Sequence, residues 1–183
     1  MNQPRITPLE PPFAPETQAA FDTLMRGLPP LALFRTVARN PRVLSRMMAG
    51  GLLDRGSLSL RLRELVILRT TALCGAEYEW GVHVAVFGAK SAWTADELLA
   101  TVHGNPEAAC WSAEETLVLR LSDALHRQAA VDDALWAALS ARFAEDQLIE
   151  LLMLAGLYHA VSFLVNGTGV ALEPFAPSFP TAT

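Results

Sequence analysis

The sequence predicts an all-α protein in which one helical domain follows an extended N-terminal arm. Apolar residues recur at spacings of three and four between cap and breaker signals, and no stretch alternates with a period of two. The chain of 183 residues, 51% of them hydrophobic, is long enough to bury one substantial core. We therefore expect residues 1–15 to form the arm and residues 16–183 to form a single domain.

The arm is rich in proline, which fixes φ and lacks a backbone donor, so this segment should run extended over the surface. It has neither the basic region nor the apolar core of a signal peptide. The two cysteines, Cys74 and Cys110, lie in unlike contexts and do not form a disulfide framework. A cytoplasmic protein is the expectation.

Cap and breaker residues delimit the predicted helices of the domain. Ser59 caps a helix whose apolar pattern is too wide for a surface position, so that helix should be central. Thr94 and Ser112 each begin a capping box with the glutamate three residues later. The predicted helices span residues 16–28, 31–39, 42–53, 60–73, 77–87, 95–102, 116–127, 133–143 and 146–158. The third is weakened at Gly50-Gly51, and the last either continues beyond Tyr158 or breaks before Asn166-Gly167.

The charge and hydropathy of the chain argue against nucleic acid and a membrane as partners and favour further copies of the same chain. The net charge of -5, with 14 scattered basic residues, leaves no continuous positive face for nucleic acid. The longest apolar run, from Leu148 to Val165, is interrupted by Glu150 and His159, so a membrane span is not predicted. The mean hydropathy of +0.26 is high for a monomer and predicts a homo-oligomer that buries apolar surface between subunits.

The segment from Glu64 to His83 places ionisable residues in an apolar neighbourhood, where an active site is expected. Glu79 and His83 are four positions apart, so on a helix the carboxylate can orient the imidazole for proton transfer. Tyr78 and Trp80 could wall the pocket. The same spacing is also typical of an ordinary surface pair, and Glu64 could simply be an ion-pair partner of a nearby arginine.

Other residues are candidates for binding or redox roles. Arg69 could bind a substrate carboxylate, and Tyr158 with His159 forms a polar pair on an apolar helix that could face the pocket. Cys74 could be a single peroxidatic thiol or a small buried side chain, and the second interpretation is favoured. The spacing of the acidic residues and His83 matches no known metal motif, so neither a metal nor another cofactor is predicted.

The run from Arg63 to Arg69, then Cys74, then Glu77-Tyr78-Glu79-Trp80 with His83, and the helix start at Thr94-Ala-Asp-Glu97 resemble the carboxymuconolactone decarboxylase and alkylhydroperoxidase superfamily. The resemblance covers roughly residues 44–172. It implies a helical bundle of the alkylhydroperoxidase-like type that assembles into trimers or hexamers.

The alkylhydroperoxidase branch of that superfamily has a Cys-x-x-Cys pair just before the histidine, where this chain has Ala76 and Glu79. A dithiol peroxidase needs one thiolate to attack and a second to resolve, so the usual form of that mechanism is excluded. The decarboxylase branch has a glutamate and a histidine at the positions of Glu79 and His83. The resemblance therefore implies acid/base chemistry.

The leading hypothesis from the sequence is a decarboxylase-like enzyme that acts on a small cyclic carboxylic acid or lactone. Glu79 and His83 would move a proton, and Glu64 would position His83. One alternative is an alkylhydroperoxidase-like antioxidant activity that uses Cys74. A second alternative is an oligomer that binds a small molecule without catalysis.

Overall fold

The computed structural model describes residues 4–49 and 51–182, and over those residues the chain forms nine helices and no strand. The all-α prediction is confirmed. The helices are α1 (Pro15–Met25), α2 (Ala32–Val37), α3 (Pro41–Ala49), α4 (Leu60–Leu73), α5 (Glu77–Ser91), α6 (Ala95–His103), α7 (Ala113–Gln128), α8 (Asp133–Ser140) and α9 (Glu145–Thr168).

Several helix ends differ from the predicted ones. Helix α3 ends at Ala49 rather than at Leu53, and Leu52 adopts a left-handed φ of 46° that a helix cannot include. Helix α5 continues to Ser91, and α9 continues ten residues beyond Tyr158 to Thr168. Helix α9 extends because Val161 and Val165 keep one face buried against the N-terminal helices. Tertiary packing therefore sets the end of α9.

The predicted caps are confirmed. The Ser59 hydroxyl accepts from the Leu62 amide at 3.3 Å, and α4 begins at the next residue. The boxes of Thr94 with Glu97 and of Ser112 with Glu115 each satisfy amide groups that the first helical turn leaves unpaired.

Helix α4 is the central element, and it packs against α5, α6, α7 and α9. Leu65, Val66, Ile67 and Leu68 face neighbours on all sides and are almost fully buried, as the wide apolar pattern predicts. Each such side chain stabilises the fold by about 1.5–3 kcal/mol through burial. The charged side chains of α4 consequently lie in a dry interior and need partners.

A second cluster of buried side chains joins the N-terminal helices to α5 and α9. Phe21 from α1, Leu33 and Val37 from α2 and Leu44 from α3 pack with Val161 of α9. This arrangement places α1, α2 and α3 over the junction of α5 and α9. The N-terminal region therefore forms one wall of any cavity at that junction.

The predicted arm follows the surface of this wall, and its residues 1–3 lie outside the described part of the chain. The Arg5 amide donates to the Thr168 carbonyl at 2.8 Å, and the Leu9 amide donates to the Arg35 carbonyl at 3.1 Å. These bonds tie the arm to the end of α9 and to α2.

The C-terminal segment folds back across α5. The Phe179 amide donates to Glu77 Oε1 at 2.8 Å, and the Phe179 ring packs edge-on against Trp80. A Cβ atom at Gly81 would collide with the Pro177 carbonyl oxygen, so only glycine allows this close approach. The segment thus covers one face of α5 and leaves another for the site.

By length and composition alone, α9 could cross a membrane, which the sequence interpretation had discounted. In the structure, α9 packs along α4 with Leu151 and Leu154 completely buried. A helix in the core of a folded bundle passes the same test of length and hydropathy.

Candidate active site

Helix α5 presents Glu79 and His83 on one face, one turn apart. Glu79 Oε1 lies 3.5 Å from His83 Nε2, and both side chains are buried. This pair is therefore not the exposed surface pair that its spacing alone also allowed. A carboxylate and an imidazole that share a dry environment interact more strongly than the same pair in water.

Glu64 reaches the same imidazole from α4. Its Oε2 atom lies 2.7 Å from His83 Nδ1, and its Oε1 atom accepts hydrogen bonds from Arg63 Nε and Nη2 at 3.1 and 3.0 Å. Arg63 also donates to the Leu53 carbonyl at 2.9 Å. Glu64 is thus both an ion-pair partner of an arginine and the residue that holds His83, so the two interpretations of its role are compatible.

Tyr158 enters from α9 on the other side of the imidazole. Its hydroxyl oxygen is 3.0 Å from His83 Nε2, and its ring packs edge-on against the imidazole. The ring of Phe87 lies along the imidazole as well, with centroids 5.4 Å apart. His83 is consequently held on both ring nitrogens, which fixes its orientation.

The two carboxylates determine the charge of His83. Burial lowers the pKa of His83, but hydrogen bonds and Coulombic attraction from Glu64 and Glu79 outweigh burial and raise this pKa to about 9. The imidazolium at neutral pH donates from Nδ1 to Glu64 and from Nε2 toward Tyr158 and Glu79. Burial raises the pKa of Tyr158 well above its usual range, so this phenol stays protonated.

A cavity of about 500 Å³ opens next to this group, with Glu79 and Tyr158 in its wall. Leu24, Leu33, Phe34, Met47, Met48, Leu157 and Val161 make most of the remaining lining. The two ionisable carboxylates in the wall belong to Glu79 and Asp54. Among the described residues, Glu79 Oε2 is a buried oxygen with no hydrogen-bond partner. Both side chains line the cavity, so a molecule bound there lies against Glu79 and Tyr158.

Arg69 lies away from this cavity, and its predicted role in binding a substrate carboxylate does not fit its contacts. It donates to both oxygens of Asp123, from Nε at 2.6 Å and from Nη2 at 3.0 Å. Its Nη1 donates to the carbonyls of Thr101 and Gly104, each at 3.1 Å. Because α4 is the central helix, its charged residues can be enclosed by other helices. Arg69 faces α6 and α7 and does not reach the cavity.

Tyr78 and Trp80 also point away from the cavity, so they do not form the wall that the sequence predicts. The Tyr78 hydroxyl accepts from the Leu33 amide at 3.1 Å and donates to Glu173 at 2.7 Å. Trp80 Nε1 donates to the Thr101 hydroxyl at 3.0 Å. On a helix, neighbouring residues face different directions, so Glu79 lines the cavity while Tyr78 and Trp80 on either side of it do not.

Tyr158 and His159 are also neighbours on a helix and therefore face different directions. Tyr158 reaches the cavity, whereas His159 turns to the opposite side of α9 and contacts His126. Cys74 lies beside this second histidine, with its Sγ 3.8 Å from His126 Nδ1. Burial raises the pKa of the Cys74 thiol. This is the opposite of what an activated thiolate requires.

Sequence reasoning missed the apolar wall of the cavity. Leu33 and Phe34 of α2 and Met47 and Met48 of α3 line it from a region whose helical pattern predicted only packing. Paired methionines are adaptable side chains that suit irregular binding surfaces, and that was the available signal. Arg63 was considered only as one of several nearby arginines.

The arrangement of these helices is that of helical proteins with an alkylhydroperoxidase-like fold. Residues 41–124, which include Glu64, Glu79 and His83, match the model of the carboxymuconolactone decarboxylase family. No curated protein matches the sequence. The family whose model matches this part of the chain is the one that its motifs resemble, so the predicted resemblance is confirmed.

Solved structures with this fold extend over nearly the whole chain. A variant of the debrominase Bmp8 in complex with 2,3,4-tribromopyrrole shares 17% identity, with 95% of this chain and 94% of that chain covered and a TM-score of 0.75. An uncharacterized peroxidase-related protein from Silicibacter sp. TM1040 shares 20% identity, with 98% and 100% covered and a TM-score of 0.79. The alkylhydroperoxidase AhpD core of a peroxidase-related protein from Ralstonia eutropha JMP134 shares 17% identity, with 94% and 95% covered and a TM-score of 0.72.

Proposed function

We propose that this protein is an acid/base enzyme that transfers a proton at a carbon next to the carbonyl of a small cyclic lactone or related acid. The observation that carries the proposal is the pairing of two groups in the wall of an apolar cavity. One is the carboxylate of Glu79, whose buried Oε2 has no hydrogen-bond partner, and the other is Tyr158, whose hydroxyl contacts the protonated His83. A base and an acid on one cavity are the requirements for enolisation.

Each residue has a distinct role in this proposal. Glu79 accepts a proton from the substrate carbon through Oε2, the oxygen that has no protein partner. Tyr158 donates a hydrogen bond to the carbonyl oxygen as negative charge develops there. His83 supports the phenol from Nε2 and can resupply its proton. Glu64 and Arg63 act through His83 as positioning residues, because they hold its orientation and charge.

The lining indicates the class of substrate. The cavity is mostly aliphatic and aromatic, and its two carboxylates repel an anion. A neutral lactone therefore fits better than a substrate with several carboxylates. Its volume of about 500 Å³ suits a molecule with one or two small rings.

Decarboxylation is a second use of the same groups. The bond to the carboxylate carbon would break, carbon dioxide would leave, and the electron pair would enter an enolate at the Tyr158 hydroxyl. Tyr158 would then pass a proton to the carbon and recover one from His83 Nε2. The substrate must in this case carry a single carboxylate, which the dry cavity would deprive of its hydration shell.

Two assays separate these reactions. Incubation of the protein in D₂O with small neutral lactones should exchange a hydrogen next to the carbonyl, as seen by NMR. Glu79→Gln should reduce exchange about 10²- to 10⁴-fold and retain binding, because the amide keeps the shape but loses the base. Release of carbon dioxide from a small lactone that carries a single carboxylate would identify the decarboxylase reaction. Absence of both activities would contradict the proposed function.

The alternative function is a thiol peroxidase. One contact supports it, because Cys74 Sγ lies 3.8 Å from His126 Nδ1. A peroxide-dependent sulfenic acid at Cys74, trapped and located by mass spectrometry, would support this alternative. A protein that binds a ligand without turnover is the other alternative. It would bind the same lactone with equal affinity in wild type and in Glu79→Gln and would show no exchange in either.

We also propose that the protein forms a homo-oligomer through α9. Ile149, Met153 and Phe163 are 63%, 59% and 68% exposed, and Gly156 and Ala160 lie between them on the same face. Their spacing of four, three, four and three residues is the repeat by which two helices pack along each other. Light scattering should give a trimer or hexamer, and Phe163→Glu should reduce the mass to that of a smaller species. A monomeric wild type would contradict this proposal.

A further inference from the structure

Three metal-ligating side chains that the proposed reaction does not use meet on another side of α9. Cys74 follows the last residue of α4, His126 lies in the last turn of α7, and His159 lies in the middle of α9. His126 and His159 line a surface pocket of about 380 Å³, together with Leu125, Ala129, Leu152 and Gly156. The thiol and the two imidazoles come from three different helices, so the fold and not local sequence brings them together.

The distances between the donor atoms approach those of a metal site. Cys74 Sγ is 3.8 Å from His126 Nδ1, and His126 Nδ1 is 3.0 Å from His159 Nε2. All three donor atoms lie within 4.8 Å of one another. Zn–S and Zn–N bonds of about 2.3 and 2.0–2.1 Å in a tetrahedron separate S from N by roughly 3.6 Å and N from N by roughly 3.3 Å. Adjustments of side-chain torsions alone would accommodate an ion.

The Nδ1 atom of His159, which would not bind the metal, already forms the kind of hydrogen bond that metal-binding histidines usually make. His159 Nδ1 lies 2.8 Å from the Ala155 carbonyl oxygen, which can only accept, so Nδ1 carries a proton. In the neutral ring, Nε2 then has its lone pair directed at His126 and Cys74. Histidines that bind metals usually donate their other N–H to a backbone carbonyl in this manner, which fixes the tautomer and the ring orientation.

We propose that Cys74, His126 and His159 bind one Zn²⁺ ion, with a fourth coordination position open to the pocket beside them. One thiolate and two imidazoles suit the borderline character of Zn²⁺, and three protein ligands with an open position are typical of sites that also bind water or a small ligand. Binding releases the thiol proton of Cys74 to solvent. Cys74 and His159 are partly exposed and His126 is exposed, which gives the ion an entry path.

Cobalt(II) is the probe for this site, because a thiolate ligand gives Co²⁺ a charge-transfer absorption in the near ultraviolet that imidazole ligands alone do not give. The full-length protein, first freed of metal with a chelator, should bind one Co²⁺ per chain and show this band. Zn²⁺ should displace it. Competition should give Zn²⁺ an affinity that falls at least 100-fold in Cys74→Ala and in His159→Gln.

Matched controls are available in the same chain. Cys110→Ala removes the other thiol, and His103→Gln removes a histidine outside the cluster, so both variants should bind Co²⁺ as wild type does. Glu79→Gln should also bind Co²⁺ normally, and this keeps the test independent of the proposed proton transfer. Circular dichroism of each variant shows that it is folded. Substoichiometric binding, absence of the thiolate band, or equal affinity in Cys74→Ala would each overturn the proposal.

Discussion

Glu64 and His83 are joined by a 2.7 Å hydrogen bond between a carboxylate oxygen and imidazole Nδ1, although they lie on different helices. Their side chains are 1% and 3% exposed. A carboxylate in so dry a place requires compensating positive charge, and Arg63 and the protonated imidazole both supply it. The charge on His83 therefore depends on Glu64.

Glu64→Gln should lower the pKa of His83 from its value of about 9 toward the ordinary value of 6.5, because the amide keeps the shape but removes a negative charge. Histidine resonances followed by NMR over a pH titration measure this. Hydrogen exchange into a lactone should decrease at neutral pH, because less of His83 is then protonated and able to resupply a proton to Tyr158. Glu145→Gln, at an exposed position of α9, is the control and should leave the titration of His83 unchanged. An unchanged His83 titration in Glu64→Gln would contradict the role assigned to this carboxylate.

Tyr158→Phe and Tyr78→Phe form a matched pair that separates catalysis from stability. Loss of the Tyr158 hydroxyl should reduce kcat about 100-fold, because the developing oxyanion loses its donor. Loss of the Tyr78 hydroxyl removes two hydrogen bonds, to Leu33 and Glu173, and should lower the free energy of unfolding by about 1–3 kcal/mol with a much smaller effect on kcat. Steady-state kinetics and urea unfolding of both variants test this. Equal rate losses in the two would mean that Tyr158 has no special role.

Stability should decrease as pH rises from about 6.5 to about 9, the ordinary and folded values of the His83 pKa. The folded state binds the proton more tightly than the unfolded state, so this contribution is fully present below pH 6.5 and is lost through pH 9. Urea unfolding at several pH values measures the slope. His83→Gln should flatten it, and the difference between the two curves removes the effect of other titrating groups. Parallel curves would show that folding does not raise the pKa of His83.

Local signals in the sequence were sufficient for the fold class and for most helix positions. Ser59, Thr94 and Ser112 cap helices where their side-chain chemistry predicts, because a cap depends on residues within one turn. The Gly50-Gly51 pair weakened the predicted third helix close to the observed end of α3, whereas local signals left open whether α9 continues beyond Tyr158. Helix α9 continues to Thr168 because Val161 and Val165 pack against the N-terminal helices.

The site was predictable only where its residues share one helix or one motif. Glu79 and His83 follow from helical spacing, and Glu64 follows from its place in the most apolar part of its helix, where a carboxylate needs a partner such as His83. Spacing gives no direction for the other side chains that contact a different helix. Arg69 and Trp80 were therefore misplaced, and the pairing of His126 with His159 was missed. Those two histidines are separated by 33 residues in the sequence and meet only when α7 and α9 pack.

The contacts of Arg69 predict a structural role that can be measured against its proposed substrate-binding role. Arg69→Lys keeps the positive charge but cannot bind both oxygens of Asp123 and also reach the carbonyls of Thr101 and Gly104. Because these groups are buried, the free energy of unfolding should fall by about 2 kcal/mol, less than for complete loss of a buried pair, since Arg127 also contacts Asp123.

Arg120→Lys is the matched control for this substitution. Arg120 pairs with Glu107 at the surface, where both side chains are about half exposed, so the change should cost less than about 0.5 kcal/mol. Neither variant should change KM for a lactone substrate. An Arg69→Lys variant that unfolds like wild type but has a raised KM would instead restore Arg69 as a substrate ligand. It would then require the buried Asp123 to release its partner when substrate binds.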